Sequence, residues 1–309
     1  MARAALKIRG AAIVMAMLLA ALAATIAATL LWQQQRWVGE HERRRDQVQA
    51  QALAMAGVQW ARQILFENAP PSVVHLGQPW ALRLPSTPIE NGAIGGYITD
   101  AQARLNVNNL ASGDTASDAA RGAFRRLFGE LGVPASLVNA LTDWVDADDR
   151  VTEGGGAEDA YYLAQGVPVL AANAPVRRVA ELAGVRGAGA MLLSRLFLFV
   201  DALDAPTAIN VNTAPPEVLV AVIGGLDATG AATLVSSRAT TPFGSVADFR
   251  SRLPGAALTV DETMLSVKSD WFVVSIEARQ GDTVARARAL LKRSSTASEW
   301  PTVVWQTVE

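Results

Sequence analysis

Cysteine is absent from the 309 residues, and histidine occurs only twice, at His41 and His75. The first absence rules out disulfides, thiolate chemistry and Cys-ligated metals, so a fold in an oxidising compartment has to rely on core packing or on an oxygen-ligated metal. The second leaves a Ser/His/Asp triad two possible bases. One lies in a charged helical stretch and the other in a Pro-flanked turn region, and neither setting resembles a nucleophilic site, so no enzyme activity is expected. An excess of either charge is also lacking: 27 Lys and Arg stand against 29 Asp and Glu, a net charge of -2. Such a balance gives no general reason to expect nucleic acid or anionic lipid as a partner. Proline does not occur before Pro70.

What the chain does have is an apolar run from Ala11 to Trp32 without a single charge, preceded by a short leader carrying Arg3, Lys7 and Arg9. Twenty-two residues at about 1.5 Å each give roughly 33 Å, enough to cross a hydrocarbon core of about 30 Å. Read as a secretory signal peptide, the run would be cut after Ala21-Leu22-Ala23, leaving Ile26, Leu30, Leu31 and Trp32 at a sticky new terminus. The better reading cuts after Gly10 and keeps the whole run, because a basic residue and glycine abutting an uncharged helix resemble a prepilin-type leader. Orientation is not decided by charge, since Arg36 and Arg43 to Arg45 balance the leader on the other flank.

From Gln33 to Asn68 the pattern is helical, with Leu53, Gly57, Trp60 and Ile64 spaced to share one face. That face calls for a sheet. Short apolar pieces such as Gly96-Tyr97-Ile98-Thr99 lie in a Pro- and Gly-rich stretch. Near the other end, Trp271 to Arg279 and Thr283 to Leu291 alternate with period two around Gln280-Gly281-Asp282, a hairpin signal. About 170 mostly helical residues separate these strands. The expected class is α+β: a long N-terminal helix on a small antiparallel sheet, with a large α-helical domain inserted between strands.

The insertion carries a faint internal repeat, Leu105-Asn106-Val107-Asn108-Asn109-Leu110 echoed by Ile209-Asn210-Val211-Asn212-Thr213-Ala214. Helices are expected over 117–132 and 134–146 in the first copy, and over 215–223 and 228–238 in the second. The second pair, joined by Gly224-Gly225-Leu226, resembles a helix-hairpin-helix unit, which raises a DNA-handling alternative. Between Thr207 and Gly255, however, Arg238, Arg250 and Arg252 are matched by Glu217, Asp227 and Asp248. Displacing counterions from phosphates needs a basic surplus, so the unit reads as a packing module and nucleic acid is not expected as a partner.

The most distinctive polar segment runs from Asp143 to Tyr162. Seven carboxylates fall within the seventeen residues 143–159, with Arg150 the only base and Gly154-Gly155-Gly156 among them. Crowded carboxylates repel, and Ca²⁺ takes 6–8 hard oxygen ligands from such a loop. The spacing is not that of an EF-hand. The segment is either a solvated acidic loop or a structural Ca²⁺ site, with Asp146, Asp148, Glu158, Asp159 and Asp143 as candidate ligands and Trp144, Tyr161 and Tyr162 as anchors.

Taken together, the leader, the Asp100-Ala101-Gln102-Ala103-Arg104-Leu105-Asn106 start, the pair Asp143-Trp144-Val145-Asp146-Ala147-Asp148 and Gly156-Ala157-Glu158-Asp159-Ala160-Tyr161-Tyr162, and Ile209-Asn210-Val211-Asn212-Thr213-Ala214-Pro215 resemble general secretion pathway protein K, the large minor pseudopilin of type II secretion. The resemblance covers nearly the whole chain. It implies a pilin-like fold with two helix-hairpin-helix (SAM-like) units in the insertion. It also implies cleavage between Gly10 and Ala11 by prepilin peptidase, N-methylation of Ala11, a single inner-membrane span and a periplasmic head. The implied partners are the other minor pseudopilins of the tip complex, the inner-membrane secretion platform and exported substrates. Pilins generally carry glutamate five residues into the mature chain; here that position is Met15, which fits a subunit at the tip with nothing stacked above it. The expected divisions are 1–10 leader, 11–32 membrane span, 33–69 stalk, 70–100 strands, 101–205 first inserted unit, 206–265 second unit, 266–293 strands and 294–309 tail.

Overall fold

The computed structural model describes residues 2–68, 72–113, 115–255, 258–294, 296 and 298–309; for residues 2–10 and Ala190 it describes the backbone alone. The side chains of the basic leader and the expected border between stalk and strands at 69/70 lie outside the described residues. One helix, α1 (Ala2–Glu67), runs unbroken through the apolar run and the charged stretch beyond it. Every residue from Ala11 to Trp32 is exposed, and the most apolar window has a mean hydropathy of 2.4. The two hydroxyls in this run turn back onto the helix: Thr25 Oγ1 donates to the Ala21 carbonyl at 2.7 Å and Thr29 Oγ1 to that of Ile26 at 2.8 Å. Both polar groups are thus satisfied without water, as a hydrocarbon environment demands.

From Ala50 onward one face of α1 lies on a sheet of five strands: β1 (Leu84–Ile89), β2 (Gly92–Asp100), β3 (Trp271–Gln280), β4 (Thr283–Lys292) and β5 (Thr302–Val308). All neighbours are antiparallel and their spatial order is their chain order, a meander. The period-two hairpin pairs from Trp271↔Lys292 to Gln280↔Thr283, so that Phe272, Val274, Ile276 and Ala278 face α1 together with Ala285, Ala287, Ala289 and Leu291. The fifth strand lies within 294–309, expected as a tail. Its sequence is β-branched but does not alternate, because an edge strand half exposed on both faces has no buried side to enforce a period.

The seat of α1 is rotated from the one expected. Ala50, Ala54, Val58, Ala61 and Leu65 are the buried positions, while Trp60 is 49% exposed and Leu53 and Ile64 only flank the core. Small side chains let the helix axis approach the sheet, and the alanines of β4 meet it there. At Gly57 the approach is closest: a Cβ at this position would lie 2.8 Å from Ile276 Cγ2. Trp60 is too large for such a seam.

Between β2 and β3 the chain makes the inserted domain, with its own core of Phe124, Leu127, Phe128, Leu141, Phe243 and Phe249 among others. Its helices are α2 (Asp118–Glu130), α3 (Ser136–Val145), α4 (Asp159–Leu163), α5 (Ala190–Leu196), α6 (Pro216–Val222), α7 (Ala228–Thr240) and α8 (Val246–Ser251). The faint sequence repeat is a structural one. Leu105-Asn106 pairs in parallel with Val200-Asp201, and Ile209-Asn210 with Leu265-Ser266. In each copy the second asparagine exchanges two bonds with a distant backbone: Asn108 with Val176 (2.8 and 2.9 Å) and Asn212 with Phe243 (3.0 and 2.8 Å). A side-chain amide imitates a strand partner there, pairing the backbone N–H and C=O of Val176 and of Phe243.

The two bodies are joined at Asp100, the last residue of β2. Its Oδ2 accepts from Asn210 Nδ2 at 3.0 Å, Thr213 Oγ1 at 2.6 Å and Ser269 Oγ, and its Oδ1 from the Gln102 amide at 2.8 Å. Leu203 and Ala101 pack beside it on Trp271, Val273 and Leu290 of the sheet.

The packing sets the first expected outcome. Gly57→Leu should lower the unfolding free energy of the detergent-solubilised chain by about 1–3 kcal/mol through overpacking against Ile276. Trp60→Ala should cost less than half as much in the same denaturant titration. A larger loss for Trp60→Ala would contradict the rotated seat.

Candidate metal centre and membrane anchor

The acidic segment is shaped by two helix ends. Asp146 is the residue that closes α3, and Glu158 is the one that opens α4. The loop between them folds back so that one carboxylate oxygen each from Asp146, Asp148 and Glu158 lie within 4.8 Å of one another. Asp146 is 5% exposed and Glu158 3%. Asp146 Oδ1 and both Glu158 carboxylate oxygens are buried without a hydrogen-bond donor. Asp146 also sits at the negative end of the α3 dipole, where a carboxylate is disfavoured. Burial first, and then the neighbouring carboxylates Asp143 and Asp148, push Asp146 up to about 7. Glu158 is pushed to about 7 by burial and by the surrounding acids. Asp148 differs: it is half-buried and accepts from the Arg150 amide at 2.8 Å and its guanidinium at 3.0 Å, which hold its carboxyl below the usual range.

Orphaned, inward-facing carboxylate oxygens are the donor set that a hard divalent cation takes. Asp146, Asp148 and Glu158 would hold it, and the ion would supply the charge that this cluster lacks. The other two expected ligands are turned elsewhere. Asp143, fully buried on α3, accepts from the Thr152 amide at 3.3 and 3.1 Å and so ties the loop to the helix. Asp159 Oδ1 accepts from the Ala171 amide at 2.9 Å and closes the next loop. The glycine run has a definite role at Gly156, where a Cβ would lie 2.2 Å from Asp143 Oδ2 and 2.4 Å from the Thr152 carbonyl.

Trp144 and Tyr162 meet edge to face at 5.1 Å and anchor the loop. Arg186 escaped the sequence reading: its guanidinium lies 4.7 Å from the centre of the Tyr161 ring and donates to the Gly156 carbonyl at 3.1 Å. Nothing in a local pattern links it to a loop thirty residues earlier.

These shifts set a pH dependence. A carboxyl whose folded pKa exceeds its unfolded value binds its proton more tightly when folded, so it stabilises at low pH and loses that contribution as pH rises through the folded value. In chelator, the melting temperature should therefore fall as pH rises from about 5.5 to 8, through the pKa values near 7 of Asp146 and Glu158. Asp146→Asn combined with Glu158→Gln should flatten this slope. An unchanged slope in a thermal melt series would overturn the assignment.

Among the described residues the hairpin unit offers no free basic face. Arg238 is buried and donates to the Val211 carbonyl, Arg250 pairs with Glu262, and Arg252 pairs with Asp248. All three arginines that a DNA reading requires are engaged. On the apolar half of α1, Met15 is 65% exposed. Trp32 and Trp37 are exposed near the end of the apolar run, with the Arg36 guanidinium 4.8 Å from the Trp32 ring centre. That arrangement suits an aromatic and basic girdle at a membrane surface.

Comparison with known proteins agrees along most of the chain. Residues 103–205 and 209–268 match the two family models for type II secretion system protein K. The chain is 33% identical over 302 residues to type II secretion system protein K of Klebsiella pneumoniae, covering 92% of each chain. It is also 33% identical over 245 residues to that of Aeromonas hydrophila, covering 72% of this chain and 73% of the relative. A chain in the crystal structure of the GspK-GspI-GspJ complex from the type 2 secretion system of enterotoxigenic Escherichia coli superposes with a TM-score of 0.75 at 28% identity. That match covers 89% of this chain and 99% of the other. With an apolar anchor helix, a pilin-like sheet and the inserted helical domain all present, the chain belongs to the type II secretion system protein K family and is a minor pseudopilin of that system.

Proposed function

We propose that this minor pseudopilin caps and initiates a short periplasmic pseudopilus, in a complex with other minor pseudopilins equivalent to GspI and GspJ. The observation that carries this reading is the likeness to protein K over about nine-tenths of the chain, with apolar helix, sheet and insertion together in one chain. A long helix that is apolar in its first half and packed on a sheet in its second is the unit that pilin-type assemblies stack. A large domain on top of that sheet blocks the approach of a further subunit. In this reading the head is periplasmic, prepilin peptidase cuts between Gly10 and Ala11, and the new Ala11 amine is methylated. The inner-membrane secretion platform and exported proteins are the remaining partners.

Met15 takes the position of the usual pilin glutamate. An unpaired carboxylate in hydrocarbon costs about 2.5 kcal/mol or more, so a subunit with no neighbour above it is better served by an apolar residue. The acidic loop is assigned a structural Ca²⁺ held by Asp146, Asp148 and Glu158. In a chain without cysteine, such an ion does for the loop what a disulfide does elsewhere.

Co-expression with the minor pseudopilins of the same operon should yield a co-purifying complex, and intact-mass analysis should give a chain that lacks residues 1–10 and carries one added methyl group. Salt-dependent DNA binding without such a complex would contradict the assignment. Met15→Glu should leave processing intact and impair tip-complex assembly. For the ion, calcium at 100-fold its Kd should stabilise the chain by about 2.7 kcal/mol over chelator, read as a raised melting temperature. Equal melts in both would remove the calcium assignment.

A further inference from the structure

One face of the sheet is covered by α1 and the other only in part. The inserted domain packs on Trp271, Val273 and Leu290 near one end of the strands. Towards the β3–β4 turn it stands off, leaving a cleft of about 930 Å³ between the sheet and the segments 178–180 and 197–201. The cleft crosses all five strands, from Leu84–Ser86 on β1 to Trp305 and Thr307 on β5. Five strands at ~4.8 Å spacing make a groove about 19 Å long, which about six extended residues at ~3.3 Å each would fill.

The charge in this groove is unbalanced. Six arginines line it and no lysine, against three carboxylates. Two carboxylates are already paired: Asp201 with Arg104 at 3.2 Å, and Glu277 with Arg286 at 3.1 Å across the β3–β4 register. Among the described residues Arg83, Arg178, Arg279 and Arg288 make no ion pair, and all four are exposed. Aromatic rings hold three of them in place. Arg83 lies 4.3 Å from the Tyr97 ring centre at one end, and Arg178 and Arg288 lie 5.3 and 5.9 Å from that of Trp305 at the other. A guanidinium supported on a ring is pre-oriented and keeps its donors free for a planar acceptor.

We infer that this cleft is a docking groove for an extended, carboxylate-rich segment of a partner protein. The groove lies on the face of the sheet and runs across the strands, so a chain lying in it is not placed to pair along a sheet edge and must be read by its side chains. Arginine alone, with its planar fork, matches carboxylates two bonds at a time. The free guanidinium groups are spread along the groove rather than gathered at one point, which favours several carboxylates on one chain over a single compact anion. Tyr97, Phe197 and Trp305 add apolar contact between them.

The test uses the full chain in detergent micelles and fluorescence anisotropy of a short fluorescein-labelled peptide of alternating glutamate and alanine. Saturable binding that weakens with added salt is expected. The double variant Arg178→Glu, Arg288→Glu should raise Kd about tenfold or more, as loss of close charge pairs does elsewhere. Arg83→Glu, at the opposite end, should weaken binding independently, and Arg44→Glu on the stalk should not. Equal Kd for the double variant, or equal binding of a glutamine-alanine peptide, overturns the proposal. So does inorganic polyphosphate binding more tightly than the glutamate peptide, which would make the groove a phosphate site. Should the double variant lose its wild-type melt, Arg83→Glu alone decides.

Discussion

The buried carboxylate of Asp100 is the polar centre of the junction between the sheet and the inserted domain. It ends the second strand at the point where the chain leaves the sheet, and its donors come from the second inserted unit, through Asn210 and Thr213, and from the returning segment, through Ser269. Burial pushes this carboxyl above its usual range, against four hydrogen bonds that pull it down. A buried charge of this kind tolerates little movement of its partners, because each lost donor leaves an uncompensated oxygen in a low-dielectric setting. The exit, the return and the second unit are therefore fixed relative to one another. The carboxylate cluster and the arginine groove inherit their positions from that junction.

A second constraint is the closeness of helix to sheet. Ala50, Ala54, Gly57 and Ala61 on α1 meet Ala285, Ala287 and Ala289 on the sheet. Small residues on both sides bring the axis in and gain dispersion contacts over a long seam. The same helix continues without a break into its apolar half. Phe66 stacked on Trp300 at 5.0 Å extends the grip to the segment before β5.

The inserted domain uses one device twice. An asparagine after a two-residue strand exchanges both of its amide bonds with a backbone far along the chain, at Val176 in one copy and Phe243 in the other. The first copy has acquired what the second lacks, the carboxylate loop between α3 and α4. Its buried oxygens without donors set that copy apart, whereas the second is closed by apolar packing and internal ion pairs.

Much of this was legible in the amino-acid order. The uncharged apolar run is long and apolar enough to cross a membrane, a property legible in the order because lipid imposes a one-dimensional condition. The β3–β4 hairpin announced itself through period two, since one face of those strands is buried. The asparagine repeat and the acid-rich loop were visible as motifs. Other features depended on partners distant in sequence. The phase of α1 was misjudged at Trp60, because the large residue that pattern reading favours is the one a close helix–sheet seam excludes. Strand β5 has no alternation, for want of a buried face. Which acids converge was settled by the Thr152 and Ala171 amides, which claim Asp143 and Asp159 and leave Asp146, Asp148 and Glu158 facing one another. The sequence by itself thus determined the anchor, the class of fold and the composition of the acidic loop, all of which follow from local periodicity and charge. Tertiary structure alone decided the helix seat, the Asp100 junction and the arginine groove, because each is a contact between segments that only folding brings together.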